Sequence, residues 1–196
     1  MPKLGILVAL DYNKLRNDLL LQRKNLIMLR SISTQGRKLT IDDLIQFEIV
    51  LGIKIPEDYA AFLLKNNGGE PIPSCHDVQN TKGTNIGSTI AIRWLYSIGG
   101  PENKPKDISE VYGLEWNYSV YHGRIPTDYL PVGCTGCGDI LCISLSEENR
   151  GSVWFWDHEA ETVPPSYKNC YKVADSFQAL LEGLFEYDHE NDKRIP

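Results

Sequence analysis

The order of apolar patterns along the chain predicts an α+β fold, a mostly antiparallel β-sheet packed against an N-terminal helix pair and a C-terminal helix. Three observations predict it. Two short helical patterns occupy residues 40–66, strand patterns cluster between Thr89 and Val173, and one helical pattern closes the chain from Ser176. Strands do not alternate with helices, which argues against βαβ units and a parallel sheet.

Size and composition fit that class. The chain has 196 residues and a mass of 22.2 kDa, which suits one domain with or without an extension. Hydrophobic residues at 42% and charged residues at 23% allow an ordinary core and argue against global disorder. No apolar run approaches the roughly 18 residues of a membrane span. Leu4 to Leu10 is short, follows only Lys3 and makes a poor signal peptide. A cytoplasmic protein is therefore expected. Five cysteines, an odd count in a chain that needs no staples, fit reduced thiols.

Residues 1–39 read as a basic N-terminal extension. Leu15, Leu19, Leu26 and Leu29 recur at helical spacing among Lys14, Arg16, Arg23, Lys24 and Arg30. Docking of such a helix on the domain behind it is favoured over a membrane surface or a partner. Ser31 to Lys38, with Gly36, reads as a linker.

The domain proper, residues 40–185, opens with Thr40 and Asp43 at capping-box spacing. Ile41, Leu44, Phe47 and Leu51 share one face, and Gly52 can take the left-handed conformation that ends the helix. Pro56 suits the start of a second helix, where its missing N–H costs nothing, and Glu57 and Asp58 favour that N-terminus. Tyr59, Phe62 and Leu63 form its buried face, and Asn67-Gly68-Gly69 stops it.

Residues 71–88 are polar and rich in Gly and Pro, so a long loop is expected. Thr89 to Tyr96 alternates as a strand with Ile90, Ile92 and Trp94 on one side. Asp107 and Glu110 begin a short helix, and Tyr129 to Val132 makes a short strand. Ile140–Leu145 and Ser152–His158 are the strongest strands, joined by a polar hairpin ending in Gly151. Tyr171 to Val173 adds an edge strand. Asp175 or Ser176 caps a last helix carrying Phe177, Leu180, Leu181, Leu184 and Phe185, and residues 186–196 read as a charged, frayed tail.

Charge is uneven. Residues 1–40 hold eight Lys and Arg against two Asp, while residues 101–196 hold eight against seventeen Asp and Glu. The acidic half argues against direct nucleic-acid binding, which needs cations for phosphates. It suits a basic protein partner whose approach it can steer.

Two constellations carry candidate chemistry. Cys134-Thr135-Gly136-Cys137, with Cys142 five residues on, supplies half of a zinc tetrahedron. No second ligand pair follows at motif spacing, and His158 or Cys170 could complete a site only through the fold. No metal and no cofactor are therefore expected, Cys134, Cys137 and Cys142 being the candidates weighed for a metal. A strand rather than a helix follows the CxxC, which argues against redox catalysis. Asp157-His158-Glu159 places an imidazole beside two carboxylates. Strand neighbours point to opposite faces, so a polar strand end that orders a turn or touches a partner is the favoured reading. No phosphate-binding loop, nucleophile elbow or H-E-x-x-H motif occurs. His76, His122 and His189 are isolated and read as loop residues. Trp154 and Trp156 share one strand face and Phe155 takes the other. Were the Phe155 face outermost, its aromatics beside Asp157 and Glu159 would make a binding patch, with Trp116, Tyr118 and Tyr121 on its rim.

Three segments in order resemble the SUKH superfamily, the SMI/KNR-type domain. FEIVLGIKIPEDYAAFLLKNNGGEP, Phe47 to Pro71, is similar to its opening helix pair. GDILCISLSEENRGSVWFWDHE, Gly138 to Glu159, is similar to its second signature, and Ala174 to Leu181 to its closing helix. The resemblance implies a non-catalytic binding protein of the bacterial immunity branch. Such a protein binds and occludes a cognate toxin domain, often a nuclease, of a polymorphic toxin system. It implies no catalytic residues. A regulator or scaffold of the cell-wall-synthesis type is the alternative, and a small zinc-dependent enzyme using the three cysteines and His158 is a more distant one. The expected partner-binding residues are Trp116, Tyr118, Trp156, Asp157, His158 and Glu159, facing a basic toxin from a monomer or weak homodimer. The CxxC and residues 1–39 depart from the family pattern.

Overall fold

The computed structural model describes residues 31–195 apart from 83, 85, 103, 189, 191 and 192. The leucine pattern of residues 15–29 and His189 lie outside the described residues. The architecture is α+β, as the order of patterns predicts. Six strands form one antiparallel sheet: β3 (Cys75–Asp77), β4 (Thr89–Leu95), β5 (Tyr129–Thr135), β6 (Ile140–Ser144), β7 (Val153–Trp156) and β8 (Cys170–Ala174), in that spatial order. Two small antiparallel pairs flank it, β1 (Ser31–Ser33) with β2 (Glu70–Ile72), and β9 (Glu186–Asp188) with β10 (Lys193–Ile195).

The helix pair forms as its caps dictate. Helix α1 (Ile41–Leu51) starts at a complete capping box, with the Thr40 hydroxyl accepting from the Asp43 N–H and the Asp43 carboxylate accepting from the Thr40 N–H. Gly52 ends it at φ 65°. Helix α2 (Glu57–Asn66) follows, with Pro56 as its cap and Tyr59, Phe62 and Leu63 buried. Leu44 and Phe47 of α1 are buried as expected, but Ile41 is 66% exposed. Ile41, Ile45 and Ile49 recur every four residues on the outer face, so the apolar stripe of α1 is wider than the contact it makes. Helices α3 (Lys106–Val111) and α4 (Leu114–Tyr121) form a corner, and α5 (Phe177–Glu182) is capped by Ser176.

Four segments differ from expectation. Ser31 to Lys38 contains β1 and is tied to the domain, with the Gly36 N–H donating to the Asn67 carbonyl at 2.9 Å. The long loop contains β2 and β3, short runs interrupted by proline that carry too few residues for a visible alternation. Helix α4 is extra. The expected frayed tail contains the β9–β10 hairpin, where Arg194 pairs with Asp77 at 3.0 Å and lies over the Phe185 ring.

The sheet is buried on both faces. The main core lies under α1, α2 and α5 and takes Leu141, Ile143, Val153 and Phe155 from the sheet. A smaller core on the other face holds Ile125, Tyr129, Ile140, Cys142 and Trp156. Period-two alternation therefore sends Phe155 inward and Trp154 with Trp156 to the second face. Strand β5 bends at a register shift between Pro131 and Gly133, where a β-carbon would sit 2.6 Å from the Trp94 carbonyl oxygen. Each outer edge carries a backbone contact. Phe185 exchanges backbone hydrogen bonds with Cys75 of β3 at 2.9 and 3.0 Å, and the Gln79 N–H donates to the Lys172 carbonyl of β8 at 2.8 Å.

Candidate partner-binding face

The turn joining β5 to β6 stands between two open hollows. On one side runs a groove of about 480 Å³ between α4 and the sheet, lined by Tyr112, Trp116, Val120, Tyr121, Arg93 and Cys134 among others. On the other lies a hollow of about 370 Å³ lined by Cys137, Asp139, Asp157, His158 and Glu159 among others. Thr135 and Gly136 of the turn belong to both.

Backbone and polar contacts aim the groove's aromatic wall. The Leu114 N–H donates to the Ser97 carbonyl at 2.9 Å, and Leu114 is fully buried. The buried Asn117 amide donates to the carbonyls of Val111 and Gly113, both at 2.8 Å, which locks the corner between α3 and α4. The Glu115 carboxylate accepts from the Gly99 N–H. With one face of α4 fixed this way, Trp116 and Val120, one turn apart, point outward beside Val111. These three are 49%, 36% and 51% exposed, a contiguous apolar patch on the rim of a groove. Tyr112 makes the floor firm by stacking on buried Trp94 at 4.3 Å.

The second hollow has a polar corner. Asp139 follows the turn, and its Oδ1 lies 2.7 Å from Nδ1 of His158 and accepts from the His158 N–H at 3.3 Å. The Thr135 hydroxyl donates to Asp139 Oδ2 at 3.2 Å. Asp157 is 8% exposed, and its Oδ1 accepts from the Glu159 N–H at 2.9 Å. Buried Asn169 clamps the Asp157 backbone, donating through Nδ2 to its carbonyl at 2.8 Å. One donor atom each from Asp139, Asp157 and His158 lie within 4.8 Å of one another. Among the described residues no other set of three His, Cys, Asp or Glu converges this way.

The sequence-predicted residues therefore divide. Trp116 and Glu159 are exposed, and His158 is half-exposed beside its hollow. Tyr118 points to a different side of α4, into a small hollow beside Pro126 and Tyr129. Trp156 is 1% exposed, edge-on to Tyr121 at 5.8 Å, so it supports the face from within and presents no surface. Arg124 lies over both rings and is held there by its double hydrogen bond to Glu161 at 2.6 and 2.9 Å, which lowers the Glu161 carboxyl below its ordinary value.

The cysteines do not assemble. Cys142 is fully buried in the second core, and burial pushes its thiol well above the ordinary range. Cys134 is half-buried and also raised by burial, while Cys137 is exposed in the turn. Thiolate chemistry at Cys134 and Cys142 is disfavoured for that reason. Val111, Val120, Arg93 and Asp139 were not singled out from the sequence. For Asp139 the only signal was its place in the Gly138-Asp139 turn, since hairpin register alone brings it to His158, 19 positions on.

Residues 38–183 match the model of the SMI1 / KNR4 family (SUKH-1). The chain is also similar to the SPbeta prophage-derived uncharacterized protein YokK of Bacillus subtilis (strain 168), 23% identical over 167 residues and 79% of each chain. No helix of the described residues is long and apolar enough to cross a membrane.

Proposed function

Because the chain belongs to the SMI1 / KNR4 family (SUKH-1), we propose that it is an immunity protein that binds a cognate toxin domain and covers its active site. The observation that carries this reading is the exposed Val111–Trp116–Val120 patch on a groove with a rigid floor. An exposed tryptophan set in an apolar rim is the usual form of an interface anchor. Truncating such an anchor costs roughly 2 kcal/mol or more, about thirtyfold in affinity. Residues 101–196 carry seventeen acidic against eight basic side chains, which favours a basic target such as a nuclease. Charge then sets the encounter rate and the aromatic patch sets residence time. Glu159 and His158 border the same turn from the other hollow and extend the contact, with Asp157 holding the Glu159 backbone and Trp156 backing Tyr121 on the groove side. The work of the protein in this reading is occlusion, without turnover.

The test is co-expression with the product of the adjacent gene, which this reading expects to be the toxin. The parent protein restores growth, and purified Trp116→Ala binds the toxin about thirtyfold more weakly while its own unfolding midpoint is unchanged. The association rate falls as salt rises. Full affinity of Trp116→Ala, together with protection in cells, overturns the assignment of this face. Failure of the neighbouring toxin to bind the parent protein at all overturns the immunity reading.

A further inference from the structure

We propose that the β5–β6 turn and the end of β7 form a divalent-cation site with Asp139, Asp157 and His158 as its protein ligands. The proposal is independent of the immunity reading. The three donor atoms lie within 4.8 Å of one another. Ligands bonded at roughly 2.0–2.2 Å to one ion stand about 3–4 Å apart, so small side-chain rotations suffice. The 2.7 Å contact between His158 Nδ1 and Asp139 Oδ1 is shorter than that, and opens by such a rotation to admit the ion.

Asp157 supplies the second line of argument. It is 8% exposed, and its Oδ1 accepts one backbone hydrogen bond. Its other carboxylate oxygen accepts none from any described residue, while the side chain lines the hollow. A buried carboxylate is retained when it is paired or coordinates a cation. No Lys or Arg among the described residues forms an ion pair with Asp139, Asp157 or Glu159. Asp139 and Asp157 thus stand beside one imidazole, and a metal ion would supply the positive charge that no Lys or Arg provides there.

The corner is also held in advance. The Thr135 N–H donates to the Asp139 carbonyl at 2.9 Å, the Thr135 hydroxyl holds Asp139 Oδ2, and the Asp157 N–H donates to the Asn169 carbonyl at 2.9 Å. Two backbones from different hairpins are thereby fixed across one hollow. One imidazole nitrogen with two carboxylates suits zinc or manganese over calcium, and the open side leaves further positions for water. Cys137 lines the hollow but is not required.

The test uses full-length protein stripped with a chelator and titrated calorimetrically with zinc chloride and, separately, manganese chloride. One ion binds per chain. His158→Gln and Asp139→Asn each weaken it about tenfold or more, a scale that even outer-sphere partners reach. The Cys134→Ser/Cys137→Ser variant binds within about twofold of the parent, and its cobalt(II) complex has the same visible spectrum, without a thiolate charge-transfer band. Thermal melting of each variant without metal shows that it is folded. His158→Gln changes a half-exposed side chain and so stands as the decisive variant should Asp139→Asn unfold. No stoichiometric uptake of either ion overturns the site. So does uptake that His158→Gln leaves intact, or uptake abolished by the cysteine variant.

Discussion

Replacing Asn67 by alanine should be among the most damaging single changes outside the apolar core. Asn67 is 1% exposed and ends α2 at φ 47°. Its Nδ2 donates to the Arg37 carbonyl at 2.9 Å and the Ile98 carbonyl at 3.1 Å, and its Oδ1 accepts from the Ile98 N–H at 2.8 Å. One side chain therefore ties the segment before α1 to the loop after β4. Three hydrogen bonds at about 1 kcal/mol each give about 3 kcal/mol. Alanine in the left-handed region adds about 1 kcal/mol. The total, about 4 kcal/mol, lowers a urea midpoint by about 2 M at a slope near 2 kcal/mol per M. The assay is equilibrium unfolding in urea followed by tryptophan fluorescence. The control is Asn66→Ala, whose side chain makes only an exposed 3.4 Å contact with Gln35 and whose loss should stay within about 0.5 kcal/mol. Amide exchange at Gly36, bonded to the Asn67 carbonyl, should accelerate in Asn67→Ala beyond what global destabilisation explains. A loss under about 1 kcal/mol would refute the reasoning, because Asn67 would then be filling space and not joining segments.

The remaining expectations concern thiols, pH and the bulge. With a thiol reagent under native conditions, exposed Cys137 reacts first and buried Cys142 only on unfolding; mass spectrometry of the labelled peptides reads the order. Glu161→Gln lowers stability at neutral pH by up to about 1 kcal/mol, the scale of an exposed ion pair. Since the folded carboxyl is held below its ordinary value of 4.5, that contribution is present above about pH 4.5 and lost as pH falls through the folded value, so parent and variant melting curves converge in acid. Gly133→Ala forces a β-carbon to 2.6 Å from the Trp94 carbonyl and should cost about 3 kcal/mol in thermal or urea unfolding.

Local chemistry made some of this legible and tertiary register hid the rest. Thr40, Asp43 and Gly52 mark α1 because capping is decided within four residues. The stripe on α1 misled because Ile41, Ile45 and Ile49 are apolar yet face outward, and amphipathic spacing alone cannot say which of two apolar faces is covered. Helix α4 escaped because Gly113 caps it without a side chain and because its large apolar residues, Trp116 and Val120, are the exposed ones. The strands β6 and β7 were plain, but the direction of Phe155 depended on which face the helices took. The corner at His158 was half visible. Asp157 and His158 are adjacent in sequence, whereas Asp139 joins them only because Ile140 pairs with Trp156 across the hairpin.

Strand addition is a common way for one protein to grip another, and the short β3 margin of this sheet is poorly open to it. Phe185 already holds Cys75 at one margin, and Gln79 already holds Lys172 at the other. A visitor at the β3 margin finds little backbone to zip onto and must read side chains instead. Recognition of that kind can be retargeted by exchanging a few protruding groups while the ladder beneath stays as it is, so paralogues could share one framework and answer to different guests.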